Sequence, residues 1–241
     1  VEFFDALPKG RPFFLHFGSS DPHRPYAPGA VDPPHDPATV RVPPYLPDTP
    51  KVREDLALYY DEIGRFDREC GELLRLVEER GLAGNTLVVM TGDNGLPFPR
   101  AKGTCYDPGL RVPMIAWWKG QIRPGSVSRD LISHVDLTPT WLEAAGVPIP
   151  EKVQGVSFLP LLQGRAYTGR EAIYAERNWH DTFDPIRAVR TRRHKLIFNA
   201  APRSGYRPAW ELEDSTTWQE IQRLGNPPGG FPDLAGDPAA G

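Results

Sequence analysis

Cysteine is nearly absent from this chain. The two that occur, Cys70 and Cys105, stand in no CxxC or Cys/His spacing. That excludes the usual zinc frameworks, and so few thiols leave the redox compartment undecided. Long apolar runs are missing too. No stretch reaches the roughly 18 apolar residues of a membrane-spanning helix, so no membrane span is expected. Neither sign of charge dominates, with 28 Lys and Arg against 31 Asp and Glu and a net charge of -3. A nucleic-acid partner is therefore not expected, since phosphate binding needs a basic surplus. No internal repeat occurs. The chain opens on Val1-Glu2-Phe3-Phe4, which is neither a methionine start nor a signal peptide, and is expected to be a fragment of a longer protein.

What is present reads as a soluble globular protein, 39% hydrophobic and 24% charged. "RPFFLHF", Arg11 to Phe17, predicts a short buried strand, followed by a long proline-rich loop to Pro50. The clearest helix comes next. Thr49 suits its N-cap, Pro50 its first position and Gly81 its end. Leu56, Tyr59, Tyr60, Ile63, Phe66, Cys70, Leu73, Leu74 and Val77 form one apolar stripe at helical spacing, with Cys70 as a packed core thiol. A strand over Thr86 to Met90 then completes a βαβ unit. The fold class is accordingly α/β, a mostly parallel sheet sandwiched by helices. Met114 to Trp118 reads as a further strand, and Asp136 as the cap of a helix ending at Gly146. Beyond about Gly169, "AIYAE", "IRAVRT" and "KLIFN" are strand-like runs with no long helices between them. We read residues 1–169 as the C-terminal part of a larger domain and 170–241 as a small C-terminal subdomain with antiparallel strands, its tail rich in Gly and Pro from about Gly225.

The chemistry concentrates after the strand at Val88. In open α/β sheets, ligands bind beyond the carboxyl ends of the strands. Asp93 and Asn94 stand there and offer two hard oxygen ligands, which suit Ca²⁺ or Mg²⁺ rather than zinc. Asp-Asn-Gly is also ordinary turn chemistry, and both readings stay open on that motif alone. His23 opens the long loop, and Lys102 follows the acid-amide pair in a short loop. Taken alone, His23 reads first as a surface or hydrogen-bonded structural residue and Lys102 as a solvated lysine. Together, a metal, an ammonium and an imidazole would form a site for a tetrahedral oxyanion. Asp136 beside His134 reads as structural, and Arg111 as a brace for the metal loop. "RTRRHK", Arg190 to Lys195, is either a solvated hairpin or a patch for a polyanionic glycan.

"PFFLHFGSSDPHRPY", "GNTLVVMTGDNG", "LRVPMIAWWKGQIRPGSVSRDLISHVDLTPTWLEAAGV" and "IRAVRTRRHKLIF" resemble, in this order, the type I sulfatases of the alkaline-phosphatase-like superfamily. "DPHR", "GDNGLPFPRAK" and "DSTTWQEIQRL" are most similar to the sulfamidase (heparan N-sulfatase) branch. The resemblance implies sulfatase-type hydrolysis of a sulfated saccharide and an active-site divalent cation, usually calcium. It assigns Asp93 and Asn94 as metal ligands and His23 and Lys102 as catalytic sulfate-binding residues. It also implies an extracytoplasmic location. His180, beside Trp179 in a polar loop, is a further substrate-binding candidate.

Two departures matter. The sulfamidase branch places Arg where this chain has Lys102, which keeps the charge and loses the bidentate fork. The formylglycine nucleophile arises from a C/S-x-P-x-R motif, and neither Cys70-Gly71-Glu72-Leu73 nor Cys105-Tyr106-Asp107-Pro108 fits it. The nucleophile is thus expected upstream of this sequence, and this chain alone is expected to be inactive. A related phosphoester or phosphonate hydrolase, or a non-catalytic glycan-binding remnant, remains the alternative.

Overall fold

A computed structural model describes residues 2–8, 10–201 and 206–225. The Gly/Pro-rich tail read from the sequence lies outside the described residues from 226 onward. The chain divides into two compact units, Val1–Leu82 and Ala83–Gly241.

The first unit holds a short helix, α1 (Glu2–Asp5), and the long α2 (Pro50–Glu79). The Thr49 side chain accepts the Val52 N–H at 3.4 Å, Pro50 fills the first turn, and Gly81 leaves at φ +69°. The caps are those the sequence predicts. The buried face is not. Leu56 and Val77 are buried with Val52 and Ala57, but so are Asp55, Asp61 and Glu62, while Ile63 is exposed and Cys70 only half-buried. Carboxylates occupy the inner face because the proline-rich loop brings its own charged and polar groups to meet them. Arg24 reaches Asp55, Asp21 reaches Arg65, and His35 reaches Asp61.

The strand expected at Arg11 to Phe17 does not form. Phe14 is 66% exposed, and residues 11–20 join no β-ladder. An apolar run becomes a strand only when a neighbouring strand takes its backbone groups, and no described strand pairs with this one.

The second unit contains β1 (Val88–Thr91), α3 (Asp107–Leu110), β2 (Met114–Trp117), α4 (Leu137–Ala144) and α5 (Leu159–Leu162). It continues with β3 (Ala172–Trp179), β4 (Phe183–Thr191), β5 (Lys195–Asn199), α6 (Trp210–Glu213) and α7 (Thr216–Leu224). The expected parallel pairing is absent among the described residues. β1 pairs with β2 antiparallel, Val88 opposite Trp117 and Thr91 opposite Met114. Without a strand at residues 11–17, there is no first strand for a βαβ crossover to return beside. The later runs behave as read: β3, β4 and β5 form one antiparallel sheet in chain order.

Asp136 is structural, though not as the cap of α4. Ser133 and Asp136 form a reciprocal capping box around the short 3₁₀ turn His134–Asp136. The wholly buried Asp136 carboxylate also accepts the Val156 N–H at 2.7 Å and binds Arg170. No helix among the described residues is long and apolar enough to cross a membrane.

Candidate functional site

The loop after β1 is locked to the segment before β2. Gly92 N–H donates to Pro113 O at 3.4 Å, Gly95 N–H to Gly109 O at 3.1 Å, and the Thr91 hydroxyl to Pro113 O at 3.0 Å. Gly95 has no positive φ, so conformational freedom is not its reason. A Cβ there would lie 1.9 Å from the Pro108 carbonyl oxygen. Gly109 is equally confined, with Ala101 O only 2.4 Å from where its Cβ would stand. This interlock explains why "GDNG" and "GLRVP" occur together. Backbone groups brace the loop. The Arg111 side chain, expected to do so, is exposed and makes no hydrogen bond among the described residues.

Asp93 and Asn94 sit at the crown of this loop. Asp93 is exposed, and its Oδ1 accepts the Asn94 N–H at 2.9 Å. Asn94 Nδ2 donates to Gly95 O at 2.7 Å, which leaves its amide oxygen as the group it can offer to a ligand. Two hard oxygens on a braced turn suit a Ca²⁺ or Mg²⁺ ion, and supply only part of the six to eight oxygens calcium takes.

The chain then folds back. Phe98, Pro99 and Ala101 are buried, and Lys102 N–H donates to Leu96 O at 3.1 Å. Arg100 takes φ +67°, and its N–H donates to the Tyr206 hydroxyl at 2.7 Å. Burial pushes that phenol up to about 12.

The Lys102 side chain has a partner that its sequence neighbourhood gives no sign of. Its Nζ lies 2.5 Å from Glu211 Oε1, with 12% and 13% of the two side chains exposed. Burial alone would raise the Glu211 pKa. The hydrogen bond and charge of Lys102, its own N–H and His180 outweigh that and hold the carboxyl below its ordinary range. Beside it, His180 Nδ1 lies 3.0 Å from Asp181 Oδ2, which also accepts the Trp210 N–H at 2.8 Å. Asp181 is likewise lowered: burial opposes ionisation, and the Trp210 N–H and His180 overcome it. Ligand atoms of His180, Asp181 and Glu211 lie within 4.8 Å of one another. Among the described residues this is where three such groups converge, rather than at Asp93. Lys102 already supplies a cation there. Arg177 donates to Gly103 O and lies 3.3 Å from Asp184.

Two sequence-predicted residues, Lys102 and His180, are thus brought to one cluster around Glu211. Asp93 and Asn94 lie earlier in the same loop region. His23 belongs to the first unit, where it is exposed and its Nδ1 lies 2.6 Å from Arg24 O. Its flanking residues are anchored on α2. Arg24 makes a bidentate pair with Asp55 at 2.9 and 2.8 Å, and Arg65 binds Asp21 at 2.5 and 2.6 Å. Glu62 is pushed up by burial and by the neighbouring Asp21 carboxylate.

Sequence reasoning missed Glu211, Asp181 and the Arg24–Asp55 pair. Asp55, Glu62 and Glu69 recur two helical turns apart and could have signalled a polar inner stripe. Nothing local marks Glu211. The basic run is largely paired: Arg190 and Lys195 share Asp107, and Arg192 meets Asp130.

Residues 1–147 match the sulfatase family, and residues 100–222 match the family described as N-sulphoglucosamine sulphohydrolase, C-terminal. The chain belongs to the sulfatase family. Within it, the chain is 30% identical to human N-sulphoglucosamine sulphohydrolase over 93% of its own length and 52% of that protein's. It is 38% identical to an ulvan-active sulfatase of Formosa agariphila over 76% of its length and 30% of the relative's. The chain thus spans about half or less of these curated relatives. Among solved structures, a 2-O GAG sulfatase superposes with a TM-score of 0.54 at 20% identity, covering 78% of this chain and 45% of that one. The structural neighbours are sulfatases of the alkaline-phosphatase-like fold.

Proposed function

We propose that this chain is the C-terminal part of a metal-dependent sulfatase that hydrolyses a sulfate ester or sulfamate on a saccharide. The observation that carries the reading is the braced turn after β1. It presents Asp93 and Asn94, and the same loop then folds back through the Lys102 N–H to Leu96 O at 3.1 Å. Asp93 and Asn94 would hold part of the coordination of a Ca²⁺ or Mg²⁺ ion. When bound, that ion supplies Lewis acidity toward the sulfate oxygens, and a formylglycine outside this sequence supplies the nucleophile.

Lys102 neutralises an equatorial oxygen of the sulfate. His23 donates to the sulfate or to the departing amine or alcohol. His180 contributes to the saccharide side of the pocket. The mostly parallel sheet would be completed by strands outside this sequence, and the antiparallel β3–β5 sheet belongs to a C-terminal subdomain. An extracytoplasmic location belongs to the same reading.

The test is Asp93→Ala in the full-length protein, assayed on N- and O-sulfated glucosamine. Loss of turnover with retained folding supports the assignment; an unchanged rate removes it. The 241-residue chain alone should show no turnover.

A further inference from the structure

Around Lys102 the fixed charges do not sum to a strongly positive pocket. Its ammonium rests on Glu211 at 2.5 Å, and both side chains are largely buried, so water screens the pair little. Asp181 stands in the same cluster, within 4.8 Å of Glu211 by ligand atoms. The next cation, Arg177, is committed to Asp184 at 3.3 Å. Glu211 is held from both sides in sequence and space. Asp181 accepts the N–H of Trp210, the residue before it, and Lys102 binds its carboxylate.

We propose that Glu211 is a charge-selecting residue: its carboxylate, fixed on Lys102, makes the pocket accept singly charged sulfate esters and disfavour doubly charged phosphate monoesters. The inference rests on the reading of Lys102 as the anion-binding residue. A sulfate ester carries one negative charge, whereas a phosphate monoester carries about 1.5 to 2 at neutral pH. The Lys102–Glu211 pair is formally neutral, so it tolerates the single charge of the first better than the larger charge of the second. The extra charge of the second meets the Glu211 carboxylate in a weakly screened site, where like charges repel strongly. Geometry cannot separate the two tetrahedral groups so readily, because they have nearly the same shape. Charge is the property in which they differ.

The experiment uses the full-length protein. The KM and kcat for 4-nitrophenyl sulfate are measured together with the inhibition constant of phenyl phosphate against it. Glu211→Gln should tighten phenyl phosphate on the order of tenfold or more relative to any change in KM for the sulfate ester. Glu211→Asp retains the charge and should keep the ratio near that of the parent protein. A purely structural role for Glu211 would weaken both ligands together and leave the ratio alone, so an unchanged ratio in Glu211→Gln overturns the proposal.

Lys102→Ala separates the two readings. It should weaken both ligands. If it weakens neither, the assignment of Lys102 fails and takes this inference with it. If it weakens both while Glu211→Gln leaves the ratio alone, only the role of Glu211 fails. Should Glu211→Gln not fold, Asp181→Asn decides. It removes the neighbouring negative charge and should move the ratio a few-fold in the same direction, and no movement there overturns the proposal.

Discussion

A methyl group on Gly95 would lie 1.9 Å from the carbonyl oxygen of Pro108. That approach joins the loop carrying Asp93 and Asn94 to the segment that leads into β2. The contact is backbone to backbone, so no side-chain rotation can relieve it.

Gly95→Ala should therefore destabilise the protein by about 3 kcal/mol, the upper end of ordinary overpacking. Gly92→Ala is the control, because a Cβ there meets nothing closer than 3.4 Å. Its cost should stay under about 1 kcal/mol. Urea denaturation midpoints of the two variants check this, and equal costs would contradict the interlock.

Asp93→Ala should behave in the opposite way. The side chain is exposed and accepts one local hydrogen bond from Asn94. Its loss should change stability by no more than about 0.5 kcal/mol. Turnover by the full-length protein should fall by about a hundredfold or more, and calcium should protect the variant less than the parent against thermal unfolding. Thermal melts with and without calcium, beside an activity assay, read both effects.

Arg24 and Asp55 form a buried bidentate pair with 8% and 4% of their side chains exposed. Asp55→Ala alone should cost about 3 to 5 kcal/mol, because it removes the carboxylate that balances a largely buried guanidinium. Combining Asp55→Leu with Arg24→Met should recover most of that loss. A double variant as unstable as the single one would show that the pair does more than cancel its own burial.

Asp136 gives a prediction in pH. Burial would raise its pKa, but Arg170 and the Val156 and Ser133 N–H groups hold it below the ordinary 3.8. The unfolded chain thus binds this proton more readily than the folded one. The stabilisation is fully present above pH 3.8 and is lost as pH falls from there through the depressed folded value. Asp136→Asn should cost about 3 kcal/mol at pH 7. The gap between parent and variant should narrow as pH falls below 3.8. Melting curves from pH 7 to pH 3 test it, and a gap that widens on acidification would reverse the sign.

The residues of the site were legible to different depths. Asp93, Asn94 and Lys102 stand out because a strand, a turn and a short loop are local patterns, and family resemblance joined them. Glu211 was invisible: it lies in the four-residue helix α6 with no motif around it. Its meaning comes from the ammonium it meets. The stripe on α2 misled for a related reason. Periodicity located the helix faces, but Asp55, Asp61 and Glu62 are buried: Arg24 and His35 arrive from the loop to pair with Asp55 and Asp61, and Glu62 pairs with Arg65 of its own helix.

The sequence by itself determined the caps of α2, the three strands of the C-terminal sheet, the turn after β1 and the family to which the chain belongs. These depend on backbone preferences and side-chain spacings within a few residues, and such signals survive without knowledge of the fold. Only the tertiary structure decided that β1 runs antiparallel to β2, that Gly95 is required by close approach rather than by its φ, and that Lys102 is matched by Glu211. Strand partners, backbone contacts and ion pairs are long-range relations. Their energies depend on distance and burial in space, which no local pattern records.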